Sequence, residues 1–312
     1  MRRAFITAPK LFAYWQKVFG HSGITVEEAE VSLKQILEKV TGGRKPRKPF
    51  PVTRLSQSQV KHFNECCRGR ATRLPLQYVL EEWDFHQITL KMRPPVFIPR
   101  PETEELVDIV LSHTKHHVTE SGRSDVTVFE VGCGSGAISL ALASACSKIK
   151  CIAIDKSVHA VRLARENADR LCLGSRVEIY HAELLADGSI FTTESFHSLG
   201  EQPLDVIVSN PPYIKTDEKD KLDPEVCRFE DHNALFGGHD GLNIIRSILK
   251  FSLGHLKSKG QIFLEVGLLH PPIIRDILNS KEYQALRLIK VHPDFTKRER
   301  FIHLLLETAF QK

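Results

Sequence analysis

No two of the seven cysteines are spaced as a C-x-x-C pair, and their number is odd. That pattern excludes a disulfide framework and a zinc site built on cysteine pairs, and it fits reduced thiols in an intracellular compartment. No metal site is expected. No apolar run approaches the ~18 residues that a membrane-spanning helix needs. The longest clusters, such as Phe301-Ile302 with Leu304-Leu305-Leu306, are strand-sized. No acidic residue precedes Glu27, and no internal repeat or low-complexity segment is visible.

What is present is a globular composition. The chain has 312 residues, 42% hydrophobic and 26% charged, enough for a large domain and a small one. The net charge of +5 is unevenly spread: residues 1–100 hold 18 of the 43 basic and 8 of the 38 acidic residues, which leaves 25 and 30 for the remainder. A basic first third suits an RNA-rich or acidic partner, or is simply a solvated basic face. The start, Met1-Arg2-Arg3-Ala4-Phe5, reads either as the tail of an organellar presequence or as a basic first helix.

Residues 7–40 carry apolar side chains at helical spacing (Leu11, Trp15, Val18, Phe19, then Val31, Leu33, Ile36, Leu37, Val40), broken at Ser22-Gly23-Ile24-Thr25. Thr25 or a neighbour is the expected cap of the second helix. Residues 41–53 read as a loop, and 55–70 as a further helix opened by Ser56 or Ser58. Residues 1–82 therefore form a small helical domain. Residues 83–100 read as a β-hairpin connector, with Pro94-Pro95 forbidding helix. Pro101 then opens a helix reaching about His116, with Glu102, Glu104 and Glu105 at its positive end. From 126 onward strands alternate with helices, which predicts an α/β sheet in a domain spanning 101–312. Seven strands are expected, at 126–131, 150–154, 176–181, 204–209, 261–266, 286–291 and 300–306. The last two are too close in sequence for a helix between them, so they pair antiparallel.

Gly132-Cys133-Gly134-Ser135-Gly136 ends the first of these strands and opens a helix. Its G-x-G-x-G spacing departs from the dinucleotide fingerprint, yet glycine serves the same needs of a sharp turn and close approach to a ligand. Asp155 ends the next strand, 19 residues after Gly136, where a carboxylate can accept hydrogen bonds from both hydroxyls of a ribose. Asn210-Pro211-Pro212-Tyr213 follows the fourth strand. In an open α/β sheet all three segments meet at the carboxyl ends of the strands.

That tetrapeptide suits methylation of a planar nitrogen. Such a nitrogen is a poor nucleophile because its lone pair is delocalised, so catalysis is largely positioning and electrostatics. The Asn210 side-chain oxygen and the Pro211 carbonyl supply two acceptors for two N–H bonds. Consecutive prolines fix φ and remove competing donors, and Tyr213 can pack its ring on the target. An S-adenosylmethionine-dependent methyltransferase is the function this combination predicts.

The sequence resembles the HemK/PrmC family, the release factor glutamine methyltransferases, over nearly its whole length. The likeness rests on Ile98-Pro99-Arg100-Pro101-Glu102-Thr103-Glu104, the Glu130–Ala137 glycine loop, Ile154-Asp155 with Ala164-Arg165-Glu166-Asn167-Ala168, the segment Val208–Ile214, and Ala234-Leu235-Phe236-Gly237-Gly238-His239-Asp240-Gly241-Leu242. It implies a Rossmann-like seven-stranded methyltransferase sheet, with S-adenosylmethionine as cofactor and residues 1–82 gripping the substrate. The substrate it implies is the glutamine of the Gly-Gly-Gln loop of a class 1 peptide chain release factor. It implies cofactor roles for Gly132 through Gly136, Asp155, Asn210 and, near the adenine, Glu183. It implies substrate roles for Asn210 through Tyr213, with Arg100 and Glu102 shaping the pocket mouth. The members with a separate helical domain that resemble this chain are the mitochondrial type, which points to the mitochondrial matrix. A monomer with no need of membrane or nucleic acid is expected. One departure stands out: His270 occupies a position where the family often has Gln. The competing enzyme reading is a DNA or RNA amino-group methyltransferase using the same tetrapeptide. A catalytically silent binding adaptor is the third, opposed by the intact Gly132, Gly134, Asp155 and Asn210.

Overall fold

The computed structural model describes residues 8–42, 55–121, 125–194 and 203–307. The expectation for Met1 to Phe5, and most of the loop expected at 41–53, lie outside them. The chain divides into two compact units, Met1–Trp83 with Asp223–Phe229, and Asp84–Leu222 with Glu230–Lys312.

The first unit is helical. Its helices are α1 (Ala8–His21), α2 (Val26–Thr41), α3 (Gln57–Ala71) and the short α4 (Leu76–Leu80), the last not foreseen from the sequence. Ala8, Leu11, Trp15 and Phe19 recur every three or four residues along α1 and are buried, as are Ala29, Leu33, Ile36, Leu37 and Val40 on α2. Each fully buried Phe or Leu in this cluster contributes roughly 1.5–3 kcal/mol. Thr25 caps α2 through a capping box with Glu28, and Ser56 does the same for α3 with Gln59. Asp223–Phe229, far away in sequence, joins this unit. There Glu225 accepts from the buried Arg70 at 3.2 Å and from Arg73 at 2.6 Å. A buried guanidinium needs such a partner.

The hairpin pairs β1 (Glu82–Phe85) with β2 (Ile88–Lys91). Strand structure ends there, so the expected connector is a short hairpin followed by irregular chain over 92–100. The second unit continues with α5 (Pro101–Ser121), β3 (Val126–Val131), α6 (Ala137–Ala145), β4 (Ile149–Asp155), α7 (Val158–Arg170), β5 (Val177–Leu184), β6 (Ile190–Thr192) and β7 (Leu204–Ser209). After α8 (Pro224–Phe229), which belongs to the first unit, come α9 (Asn243–His255), β8 (Leu256–Glu265), α10 (His270–Leu278), β9 (Leu286–Pro293) and β10 (Glu299–Leu306).

Among the described residues the main sheet has eight strands, ordered β6-β5-β4-β3-β7-β8-β10-β9. All seven expected strands are in it. The eighth, β6, is a three-residue antiparallel edge beside β5, too short to leave a periodic signal. Strands β5, β4, β3, β7 and β8 run parallel, and β10 lies antiparallel between β8 and β9. Side chains alternate between two covered faces. Phe129 stacks on Phe251 of α9 at 5.0 Å, whereas its neighbour Glu130 meets Ser139 of α6. The chain leaves β3 toward β4 and β5, then returns to β7 on the other side of β3. This reversal opens a crevice at the carboxyl ends of the strands, where such sheets bind ligands.

Candidate functional site

Four loops meet at that crevice. The first follows β3, where Gly132, Gly134 and Gly136 adopt positive φ of 74°, 55° and 84°. A Cβ on Gly132 or Gly134 would meet nothing within 4 Å, so the space over this turn is left open. A Cβ on Gly136 would press on Leu140 at 2.9 Å and on Ala164 at 3.3 Å, so this glycine seats α6 against α7. Asn167 braces the same turn. Its Nδ2 donates to the Ser135 carbonyl at 3.0 Å, and its Oδ1 accepts the Lys91 N–H at 2.7 Å.

Asp155 ends β4. Its carboxylate accepts the Gly134 N–H at 2.9 Å and the Ser157 N–H at 2.8 Å. Those bonds fix its orientation, and two oxygens retain lone pairs for a ribose. Burial raises its pKa, and the two backbone bonds oppose that rise. Glu130, at the end of β3, is 1% exposed and accepts from the Ser139 N–H and hydroxyl. Burial pushes its pKa up to about 8.

Asn210 leaves β7, whose end is tied to β3 by the Ser209 hydroxyl donating to the Val131 carbonyl at 2.6 Å. The Asn210 Nδ2 donates to Thr103 Oγ1 at 3.0 Å. Thr103 in turn donates to Glu265 Oε2 at 2.8 Å, and the Tyr213 hydroxyl donates to Glu265 Oε1 at 3.2 Å. Burial raises the Glu265 pKa, while the bonds from Thr103 and Tyr213 and the charge of Arg300 act the other way. The backbone just after Tyr213 is held by the Leu235 to Leu242 segment, which packs closely on Pro212 and Tyr213. Gly237 N–H donates to the Ile214 carbonyl at 2.9 Å, and Ile214 N–H to the Leu235 carbonyl at 2.9 Å. The approach is so close that a Cβ on Gly237 would fall 2.3 Å from the Pro212 oxygen, and one on Gly241 2.3 Å from the Tyr213 oxygen. Only glycine fits either place.

The resulting cleft encloses about 1020 Å³ of empty space, solvent mouth included. Gly132, Cys133, Gly134, Ser135, Asp155, Glu183, Asn210 and Pro212 all line it. Gly136, Pro211, Tyr213, Arg100 and Glu102 are not among its lining residues. Arg100 instead pairs with the buried Glu230 at 2.8 Å and lies 4.7 Å over the Phe97 ring, which does line the cleft. From the turn that holds Glu102, it is Thr103 that reaches the cleft.

Thr103, Glu130, Glu265 and Asp231 carry the site's hydrogen bonds or line its walls but were not singled out from sequence. Thr103 sits uncharged between Glu102 and Glu104, and Glu265 opens the segment Glu265 to His270, where the family often has Glu-x-Gly-x-x-Gln, a pattern that by itself assigns no contact to Asn210 or Tyr213.

The lining carries the carboxyl groups of Asp155, Glu183 and Asp231, beside a Glu130 that holds its proton to about pH 8, against the single cation Lys156. A doubly charged pyrophosphate is disfavoured there and a sulfonium is favoured. Among the described residues no group of His, Cys, Asp and Glu is arranged to hold a metal, and no helix is long and apolar enough to cross a membrane.

A Rossmann-like sheet with an open glycine turn, a ribose-ready aspartate and an acceptor-rich cleft defines an S-adenosylmethionine-dependent methyltransferase. Comparison with known proteins agrees. A family described as "Methyltransferase small domain" matches residues 108–225. The human "MTRF1L release factor glutamine methyltransferase" is 41% identical over 303 residues, covering 96% of this chain and 87% of that protein. The "Release factor glutamine methyltransferase" of Lactococcus lactis is 32% identical over 249 residues, 80% of this chain and 84% of that one. Among solved structures, the hMettl16 catalytic domain in complex with the MAT2A 3'UTR hairpin 6 superposes with a TM-score of 0.50 at 13% identity, over 85% of this chain and 87% of that chain, a likeness of fold alone. The chain belongs to the release factor glutamine methyltransferase family.

Proposed function

We propose that this protein methylates the side-chain amide nitrogen of the glutamine in the Gly-Gly-Gln loop of a class 1 release factor, in the mitochondrial matrix. One observation carries the reading: an asparagine amide lies on the wall of the same cleft as the glycine turn and Asp155, with its nitrogen already bonded to Thr103. Its oxygen is left as an acceptor. The Pro211 carbonyl is assigned as the second acceptor although Pro212 is the proline that lines the cleft, and neither proline can compete as a donor.

The residues fit the cofactor. Gly132 and Gly134 give room for close approach, Asp155 offers its lone pairs to the ribose hydroxyls, and Glu183 lines the adjoining wall. When bound, S-adenosylmethionine supplies an electrophilic methyl group on a sulfonium that departs as a neutral thioether. Asn210 and Pro211 would hold the two N–H bonds of the glutamine, orient its nitrogen, and favour the positive charge that grows on it. The nitrogen then loses to water a proton made acidic by that charge, so no dedicated base is needed. Tyr213, braced by Glu265, fixes the end of the tetrapeptide.

Residues 1–82 are the candidate grip on the release factor. Matrix localisation rests on the resemblance to the mitochondrial-type members of the family noted from the sequence.

Mass spectrometry of the release-factor loop after incubation with enzyme and cofactor tests the reading. Asn210→Ala should lower turnover by about 10²–10³-fold, the usual cost of one hydrogen bond to developing charge, while cofactor affinity by calorimetry is retained. Asp155→Ala should show the reverse pattern, weakened affinity first. Methylation of a nucleic-acid amino group in place of the glutamine would refute the proposal.

A further inference from the structure

We propose that Thr103 and Glu265 are positioning residues that decide which end of the Asn210 amide faces the substrate. The inference rests on the reading of Asn210 as the acceptor for the target amide.

The argument is a count of protons and lone pairs. A carboxylate only accepts, and Glu265 receives one hydroxyl on each oxygen, Thr103 at 2.8 Å and Tyr213 at 3.2 Å. A threonine hydroxyl has a single proton. With that proton turned to Glu265, the Thr103 oxygen shows only lone pairs to Asn210, 3.0 Å away. The Asn210 group that meets it must therefore be the NH2, and Oδ1 is left to the cleft. The reverse orientation sets lone pairs against lone pairs at Thr103 and an N–H donor against the N–H donors of the substrate. Water cannot repair that mismatch, because Thr103 is 2% and Glu265 1% exposed. The far end is anchored too: Arg300 reaches the Tyr213 hydroxyl at 3.5 Å and Asp294 at 3.4 Å. A chain of fixed polarity thus runs from β10 through β8 and α5 to the acceptor.

Reversing the polarity tests this directly. Steady-state kcat and KM for the release factor are measured alongside cofactor affinity by calorimetry. Thr103→Val should lower kcat on the order of ~10–100-fold, with cofactor affinity within about 2-fold, while Thr103→Ser stays within about 3-fold of wild type. Glu265→Gln should be slow as well, because its amide donates to Thr103, which then donates to Asn210 and turns the amide around. Asn210→Asp should be slow because its second oxygen faces the Thr103 lone pairs. Combined with Glu265→Gln, that second oxygen gains the Thr103 proton, so the double variant should exceed Asn210→Asp alone by at least ~10-fold. Destabilised side chains would not yield such a rescue. Wild-type kcat in Thr103→Val, or a double variant no faster than Asn210→Asp, overturns the inference while leaving Asn210 its role. If Asn210→Ala itself turns over normally, the reading of Asn210 fails instead.

Discussion

Gly134 and Gly136 lie two residues apart and both adopt left-handed backbone, yet they should fail in different ways when replaced by alanine. The φ of 55° at Gly134 and 84° at Gly136 costs an L-residue roughly 1–2 kcal/mol in either place. At Gly136 the new methyl would also lie 2.9 Å from Leu140 Cδ1 and 3.3 Å from Ala164 Cβ, in a packed contact between α6 and α7. Overpacking of that kind adds about 1–3 kcal/mol, for a total of about 2–5 kcal/mol. At Gly134 the methyl meets nothing within 4 Å and stands over the cleft. Gly134→Ala should therefore unfold in urea close to wild type, about 1–2 kcal/mol lower, but lose at least ~10-fold in S-adenosylmethionine affinity, about 1.4 kcal/mol. Gly136→Ala should show the larger shift in the urea midpoint. Denaturation followed by circular dichroism and titration calorimetry on the same preparations separate the two effects. Wild-type cofactor affinity in Gly134→Ala would refute the placement of the cofactor over this turn. A wild-type midpoint in Gly136→Ala would refute the packing argument.

Two further outcomes follow from buried polar groups. His270 accepts the Gly267 N–H on Nδ1 at 3.2 Å and donates from Nε2 to the Asp240 carbonyl at 3.1 Å. A glutamine amide offers the same acceptor and donor, so His270→Gln should melt near wild type, whereas His270→Ala strands both backbone groups at roughly 1–3 kcal/mol; equal melting of the two variants would contradict this. Glu130 binds its proton up to about pH 8 in the fold but only to about 4.5 when unfolded. Its contribution to stability is therefore complete below pH 4.5 and is lost as pH rises through 8. Between pH 6.5 and 8 wild type should lose about 1–2 kcal/mol relative to Glu130→Gln in paired urea titrations, and parallel curves for the two proteins would show that the carboxyl is already ionised.

The alternation of strands and helices was legible because each segment buries one face or both, and the caps at Thr25 and Ser56 were legible because they satisfy local N–H groups. The short elements were not. Strand β6 has three residues, and α4 has five. The recruitment of Asp223–Phe229 to the helical unit rests on Glu225 meeting Arg70 and Arg73 from some 150 residues away. No periodicity encodes such a pairing. The site divides in the same way. Gly132, Asp155 and Asn210 declare themselves because each ends or follows a strand, and topology brings those ends together. Arg100 and Glu102 drew notice as charges. The residue between Pro101 and Glu104 that lines the cleft is instead the uncharged Thr103, selected by the pitch of α5 and by a carboxylate 162 positions later.

Charge illustrates why whole-chain and local readings must be kept apart. The protein carries a net charge of +5, and its basic first third invites an RNA partner. At the cleft the sign reverses, with Asp155, Glu183 and Asp231 against one lysine among the lining residues and Glu130 beside them holding its proton. A phosphate backbone entering there would meet acceptors, whereas a sulfonium and a pair of N–H bonds would meet what they lack. Several donors beside these acceptors are moreover spent inside the protein: Gly134 and Ser157 N–H on Asp155, Ser139 on Glu130, and the Asn210 nitrogen on Thr103. Donors spent inside the protein cannot grip a substrate oxygen. The cleft thus offers more acceptors than donors to what enters it, which suits a cationic cofactor beside a nitrogen that still has protons to give.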